Sequence, residues 1–432
     1  RARLSATYNR WLMKPVRSLA QHLANFATQT PDAPALIAGG KIWSSSRLFA
    51  EASHRAEQIR VVPEAFAVQG SAFDLAFHAY ACSIKNRAFW PVDRNIPDQS
   101  PPLAPNIALI ISTSGSEGQP KAVMLSNGNL DAAATAANQR LPLDPGDCWL
   151  ACLPLYHIGG LAILWRCAQA GATVLLHDGF DVATIARDFE RQPVTHISLV
   201  PAMLARLLDS GIAPPASLRH ALIGGAALAK PLYERATQAG WPLNPSYGMS
   251  ESAAQIATWI PADGPWQEGL VGKALGDNEL AISDDGRIRL RGPQLMSGYL
   301  AGGGLDEAGW LTTGDLGKID QFGRLTVTGR ADDMLISGGF NVHPLQVESC
   351  LAACPGICDV AVTSLPDPVW GDLVVALVVA SASAEEITEW SKLRLPSAAQ
   401  PRRIVHLTKL PRTPGGKLER SALRRLAAGT SQ

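Results

Sequence analysis

IALIISTSGSEGQPKAVMLS, residues 107 to 126, is the stretch around which the rest of the chain reads. Five apolar residues, Ile107 to Ile111, suit a fully buried strand. A loop of small hydroxyls and glycines follows, with Thr113, Ser114, Gly115, Ser116 and Gly118, and then Lys121. Beyond Ser126 the alanine-rich Leu130 to Asn138 is expected to be helical. Strand, glycine–hydroxyl loop, lysine and helix suit a polyphosphate. Glycines let backbone N–H groups approach the oxygens, hydroxyls add donors, and the lysine adds a point charge. The spacing Gly115-x-x-Gly118-x-x-Lys121 is not the common nucleotide loop GxxxxGK[ST].

The chain has 432 residues, room for about three domain-sized units. With 47% apolar and 18% charged residues the composition is globular. Acidic and basic residues balance at 38 each, which argues against a nucleic-acid or anionic-membrane partner. No apolar run approaches the ~20 residues of a membrane span, and the basic, amphipathic first residues lack the apolar core of a secretory signal. Seven cysteines without a CxxC pair point to a reducing, cytoplasmic setting. Cys350, Cys354 and Cys358 are spaced by four, but Cys350 and Cys354 fall on one face of an expected helix, and the three read as buried small hydrophobes rather than as a metal site.

Helical patterns at Leu19 to Gln29 and Ser46 to Ile59 flank a short extended piece. Strands are expected at Phe66 to Gln69, Phe89 to Val92, Cys148 to Leu153, Ala172 to Leu176, Thr195 to Val200 and Ala221 to Ile223. Alanine- and leucine-rich helices alternate with them, an α/β pattern with a parallel sheet. Gly159-Gly160 reads as a turn, and Gly224-Gly225-Ala226-Ala227 as a turn at a strand end, where open parallel sheets place ligands. From about residue 261 the texture becomes short strands and turns, with hairpin signals at Asp284-Asp285-Gly286 and Gln321-Phe322-Gly323. A polar joint, Gly329-Arg330-Ala331-Asp332-Asp333, precedes a small α+β unit. The expected division is therefore residues 1–330, with a β-rich part about 261–330, and residues 331–432.

Six separated motifs agree with this outline: Thr113-Ser-Gly-Ser-Glu-Gly-Gln-Pro-Lys121, Tyr247-Gly-Met-Ser-Glu251, Thr313-Gly-Asp315, Gly329-Arg330-Ala-Asp332-Asp333, Ser337-Gly-Gly-Phe-Asn-Val-His-Pro344 and Pro414-Gly-Gly-Lys417. In this order they resemble the adenylate-forming superfamily of acyl-CoA synthetases, adenylation domains and luciferases, over nearly the whole chain. The resemblance implies a large N-terminal domain of layered, mostly parallel sheets plus a β-barrel subdomain. A hinge would join it to a small mobile α+β C-terminal domain. It also implies a two-step reaction: a carboxylate attacks the α-phosphate of ATP, and a thiol then displaces AMP from the acyl-adenylate.

The roles implied by the resemblance fall on particular residues. Thr113, Ser114, Gly115, Ser116, Gly118 and Lys121 would cradle the β- and γ-phosphates. Glu251 would attend Mg²⁺ and Ser250 the α-phosphate. Tyr247, beside Gly248, would stack on adenine against Gly225, Ala226 and Ala227. Asp315 would grip the ribose hydroxyls, with Arg330 in support. Lys417 would bridge carboxylate and α-phosphate, and Asp332 would be the hinge. Gly338 and Gly339 would let the pantetheine arm of coenzyme A pass. Tyr156, His157, Ser198, Val200 and Gly224 would line the acyl pocket, His157 as its gate.

Some positions depart from the family pattern. Glu117 stands where Thr is usual, Ala122 where Gly is usual and Ser250 where Thr is more frequent. The short linker from Val92 to Asn106, with Leu153-Pro-Leu-Tyr-His157, Leu164-Trp-Arg166 and Ser198-Leu-Val-Pro201, is similar to the o-succinylbenzoate–CoA ligases of menaquinone synthesis. On that resemblance the substrate is an aromatic or aryl-keto acid such as o-succinylbenzoate, and Arg166 would hold its second carboxylate. ATP, Mg²⁺ and coenzyme A are the implied cofactors and co-substrates. A stand-alone adenylation enzyme loading a carrier-protein phosphopantetheine is the alternative, and a homodimer stays open.

Overall fold

The structure is a computed structural model and describes residues 16–93, 101–113, 121–413 and 418–429. It is α/β, with a large sheet-built N-terminal part and a small C-terminal α+β part.

A thirteen-stranded path forms the first sheet. Strands Pro34–Ala38, Thr173–Leu176, Cys148–Ala151, His196–Leu199, His220–Ile223 and Leu243–Met249 run parallel in that spatial order. Four of them, CWLA, TVLL, HISL and HALI, are buried or nearly so along their whole length, as a sheet covered on both faces requires. From Leu243–Met249 onward the pairing is antiparallel, through Ala254–Thr258, Leu270–Ala274, Arg324–Arg330, Leu311–Ile319, Arg287–Arg291 and Glu279–Ile282. The change of texture thus begins at Ala254, slightly before the expected position.

The second sheet corrects the opening expectation. Ile107–Thr113 does not lead through a loop and lysine straight into a helix. It pairs antiparallel with a further strand, Lys121–Ser126, so that the loop joins a hairpin whose last pair is Thr113 with Lys121. Val123 and Leu125 face the core, an alternation too short to separate from the helix beyond. Ser126 then caps that helix, Asn127–Arg140: its hydroxyl accepts from Asn129 N–H while the Asn129 side chain accepts from Ser126 N–H.

Gly159 and Gly160 are likewise not a turn but the first residues of helix Ile158–Ala170, nearly all of which is buried between its neighbours. Gly160 is required there, because a Cβ would stand 2.6 Å from the carbonyl oxygens of Leu153 and Pro154. The third sheet comprises Leu335–Ser337, Phe340–Val342, Ile357–Asp367, Gly371–Ala380 and Arg403–His406, with helices Pro344–Ala352 and Arg420–Ala428 against it. Cys354 is buried just past the first of these helices, Cys350 is half-buried and Cys358 is exposed, so the buried-hydrophobe reading does not extend to Cys358. Among the described residues no helix is long and apolar enough to cross a membrane.

Candidate active site

Two strands of the antiparallel half and one from the parallel half meet at Asp315. Asp315 on Leu311–Ile319 is in register with Arg330 on Arg324–Arg330. The Arg330 guanidinium donates to Asp315 Oδ1 at 3.0 Å and to Asp332 Oδ2 at 3.2 Å. Tyr247, buried on Leu243–Met249, donates its hydroxyl to Asp315 Oδ2 at 2.7 Å. Burial first, and the Asp315 charge second, push the Tyr247 phenol well above its ordinary value, so it remains a donor. Gly314 leaves room for this set: a Cβ would lie 2.8 Å from Arg330 Nη2 and 3.1 Å from Asp332 Oδ2. Each Asp315 oxygen thus accepts one protein hydrogen bond, and an ionised carboxylate has about four acceptor sites, so two donors can still be received.

A second cluster surrounds Glu251. Its Oε1 accepts from the Tyr299 hydroxyl at 2.9 Å, and Lys121 Nζ stands 5.5 Å from the centre of the Tyr299 ring. Burial and the Glu251 charge hold the Tyr299 phenol above its ordinary range. The Thr113 hydroxyl donates to the Lys121 carbonyl at 3.1 Å, so both stand at the mouth of the loop between their strands. Ser250 adjoins Glu251 in a short 3₁₀ turn and is half-buried. The Glu251 carboxylate is a hard oxygen donor with sites left beyond the Tyr299 contact. That fits Mg²⁺, which binds through one or two carboxylates together with water and phosphate oxygens.

A third cluster lies deeper. Arg166, on the buried helix, is 2% exposed and sits 5.2 Å from the Trp149 ring. Its Nε and Nη1 have no hydrogen-bond acceptor among the described residues. Burial pushes its pKa down to about 10. The Trp149 indole N–H donates to Ser198 Oγ at 3.0 Å, and its ring stacks on His196 at 4.9 Å. One indole therefore joins two positions that the sequence places in the acyl pocket. Val200 is buried against Gly225, Gly224 lies beside Ser246 Oγ, and Ala226 and Ala227 are exposed next to them. Tyr156 and His157 meet edge to face at 4.8 Å, with His157 exposed.

The remaining candidates fall elsewhere. Gly338 and Gly339 form the exposed turn of the hairpin Leu335–Val342, both with positive φ, and Gly338 abuts the Trp370 ring. Ser114, Gly115, Ser116, Gly118, Glu117 and Lys417 lie outside the described residues. Sequence reasoning missed Tyr299 and Trp149. The Gly298-Tyr299 pair after a proline-bearing turn was a usable signal for the first, while nothing local marked the second.

Residues 76–300 match the family model of the AMP-binding enzymes, and residues 346–417 match the AMP-binding enzyme C-terminal domain. The chain belongs to the AMP-binding enzyme family. It is 37% identical over 334 residues to the 2-succinylbenzoate–CoA ligase of Bacillus cereus, a match covering 73% of this chain and 69% of that protein. The Bacillus subtilis o-succinylbenzoate CoA synthetase, solved with its acyl-adenylate intermediate, superposes with a TM-score of 0.83 at 30% identity, covering 93% of this chain and 97% of that one. The same synthetase solved with ATP and magnesium gives a TM-score of 0.82 at 29% identity, covering 93% and 99%.

Proposed function

We propose that this protein activates o-succinylbenzoate with ATP and transfers the acyl group to coenzyme A. The observation that carries the acid assignment is Arg166, a buried guanidinium whose Nε and Nη1 find no acceptor among the described residues. A buried cation with donors left unmatched is costly, and a bound carboxylate would supply the missing acceptors. The substrate has two carboxylates, one to react and one for Arg166 to hold. The identity to 2-succinylbenzoate–CoA ligases supports the same reading.

The protein's own groups divide the work as follows. Asp315 receives the two ribose hydroxyls on the lone pairs left by Tyr247 and Arg330. The buried Tyr247 and the turn Gly225-Ala226-Ala227 flank the base. Lys121, with Thr113, Ser114, Gly115, Ser116 and Gly118, holds the phosphates, and Ser250 contacts the α-phosphate. Glu251 would hold Mg²⁺, which when bound neutralises phosphate charge. Lys417 places a cation between the attacking carboxylate and the α-phosphate, where negative charge accumulates in the transition state. A carboxylate is a poor acyl donor, and the mixed anhydride gives the thiol a good leaving group. Asp332 lies in the short joint between the first and third sheets, and rotation there would exchange Lys417 for the Gly338-Gly339 turn. Residues 1–330 and 331–432 would then move as two bodies.

The test is a panel of acids with Mg-ATP and coenzyme A, following AMP release and acyl-CoA mass. o-Succinylbenzoate should turn over best and lose that preference in Arg166→Ala. Preference for another acid would refute the substrate. Adenylate formation without acyl-CoA would assign the thiol to a carrier protein instead.

A further inference from the structure

Glu251 sits in a turn that runs against backbone preference. Residues 250–253 connect Leu243–Met249 to Ala254–Thr258, and Ala253 and Ala254 have φ of +49° and +95°. Side-chain-bearing residues rarely adopt such values, and they persist only where the surroundings over-determine them. The crowding is mutual: a Cβ on Gly248 would stand 2.1 Å from the Ala254 carbonyl oxygen.

The over-determination comes from Gln294, which is 0% exposed. Its Nε2 donates to the carbonyls of Ser252 at 2.7 Å and Gln255 at 2.8 Å, one on each side of the two strained alanines. Its Oε1 accepts from Asn278 Nδ2 at 2.6 Å, which fixes the amide's orientation, and Asn278 Nδ2 also donates to the Leu275 carbonyl at 2.6 Å. Two residues on, Met296 N–H donates to the Glu251 carbonyl at 2.8 Å, and Tyr299 holds the Glu251 carboxylate. The segment 294–299 therefore grips the turn by its backbone on both sides and by its functional side chain.

We propose that Gln294, oriented by Asn278, is a positioning residue that holds the strained turn so that the Glu251 carboxylate faces the metal–triphosphate. It touches neither nucleotide nor metal and acts only through the turn. This rests on the reading that Glu251 attends Mg-ATP. A metal held by one carboxylate and by phosphate oxygens tolerates little drift of that carboxylate. AMP carries no β- or γ-phosphate and is held chiefly at the Asp315 cluster; its one contact with the turn is through Ser250, which precedes the two strained alanines, so AMP depends on the turn far less.

The test measures Mg-ATP and AMP binding calorimetrically, with a Mg²⁺ titration at fixed ATP. Gln294→Glu keeps the shape and removes both donors. Ala254→Gly leaves the amide relay intact and lets the turn relax, and Gln294→Met replaces the amide by an apolar side chain. Gln294→Glu should weaken Mg-ATP at least ~10-fold and move the Mg²⁺ midpoint upward, while AMP binding changes less than ~2-fold. Ala254→Gly should keep cooperative unfolding and show the same selective loss, about 3-fold. Should Gln294→Glu not fold, Gln294→Met and Ala254→Gly decide on the same criterion. Parallel weakening of both ligands, or unchanged Mg-ATP binding, would overturn the positioning role. Wild-type protein that binds AMP but gains nothing from Mg²⁺ would overturn the Glu251 reading and this proposal with it.

Discussion

Arg166→Met exchanges a fold-destabilising charge for an apolar side chain, and the structure sets the size of both consequences. Burial depresses the Arg166 pKa from its ordinary value to about 10, which corresponds to about 3 kcal/mol of desolvation. The contact with Trp149 at 5.2 Å returns about 1 kcal/mol, so removing the guanidinium leaves a net gain of about 2 kcal/mol in the ligand-free protein. At about 2 cal/mol/K per residue over 432 residues, this raises Tm by about 2 °C. The same change removes the partner of the substrate's second carboxylate, an interaction of about 3 kcal/mol for a buried charge pair, or roughly 150-fold in kcat/KM. Benzoate, which has no second carboxylate, should change by less than ~3-fold. Scanning calorimetry of the ligand-free protein and steady-state kinetics with both acids read out the two effects. A Tm that falls by several degrees, or an equal loss with both acids, would show that Arg166 is a structural residue whose N–H groups are satisfied within the fold.

Other perturbations have distinct expected outcomes. Asp315→Asn removes the charge that receives Tyr247 and Arg330, and at about 1.5–3 kcal/mol for charged hydrogen bonds it should raise the KM for Mg-ATP ~10- to 100-fold. Because Arg330 is substantially exposed, stability should change by less than about 1 kcal/mol, which denaturant unfolding checks. Arg420→Met removes the cation facing Glu348, a buried carboxylate that also accepts from Val362 N–H, and should destabilise the C-terminal part by about 2 kcal/mol. Hydrogen exchange should show that loss in residues 344–380 first. His196 is buried against Trp149 and His220, and burial, reinforced by His220, pushes its pKa down to about 3. A depressed pKa means that the unfolded chain binds the proton first. Stability is therefore full above about pH 6.5 and falls as the pH drops toward 3, by up to about 1.4 kcal/mol per pH unit. His196→Gln should flatten that part of the stability profile.

The parallel half of the first sheet was legible because its strands are short continuous apolar runs bounded by turn residues. Strand Leu243–Met249 was not. LNPSYGM carries Asn, Pro and Gly, and it is held in place by pairing on both sides rather than by its own preference. Lys121–Ser126 was lost in the same way, its two inward residues merging with the helix that follows. At the site, the residues that bear chemistry could be read from motifs, since charge and spacing are local. Their supports could not. Tyr299 reaches Glu251 across 48 positions and Gln294 reaches Ser252 across 42, contacts that exist only once the sheets have assembled. Trp149 likewise reads as one more apolar strand residue until Arg166 and Ser198 are found on its ring.

The proposed activity makes an acyl-adenylate of o-succinylbenzoate and hands the acyl group to coenzyme A. Mass spectrometry of a single turnover tests it most directly, with the protein mixed with Mg-ATP and o-succinylbenzoate and coenzyme A added in a second step. The first step should yield the mass of the acyl-adenylate, and the second its replacement by acyl-CoA and AMP. Folded protein that yields neither adenylate nor pyrophosphate with this acid would contradict it.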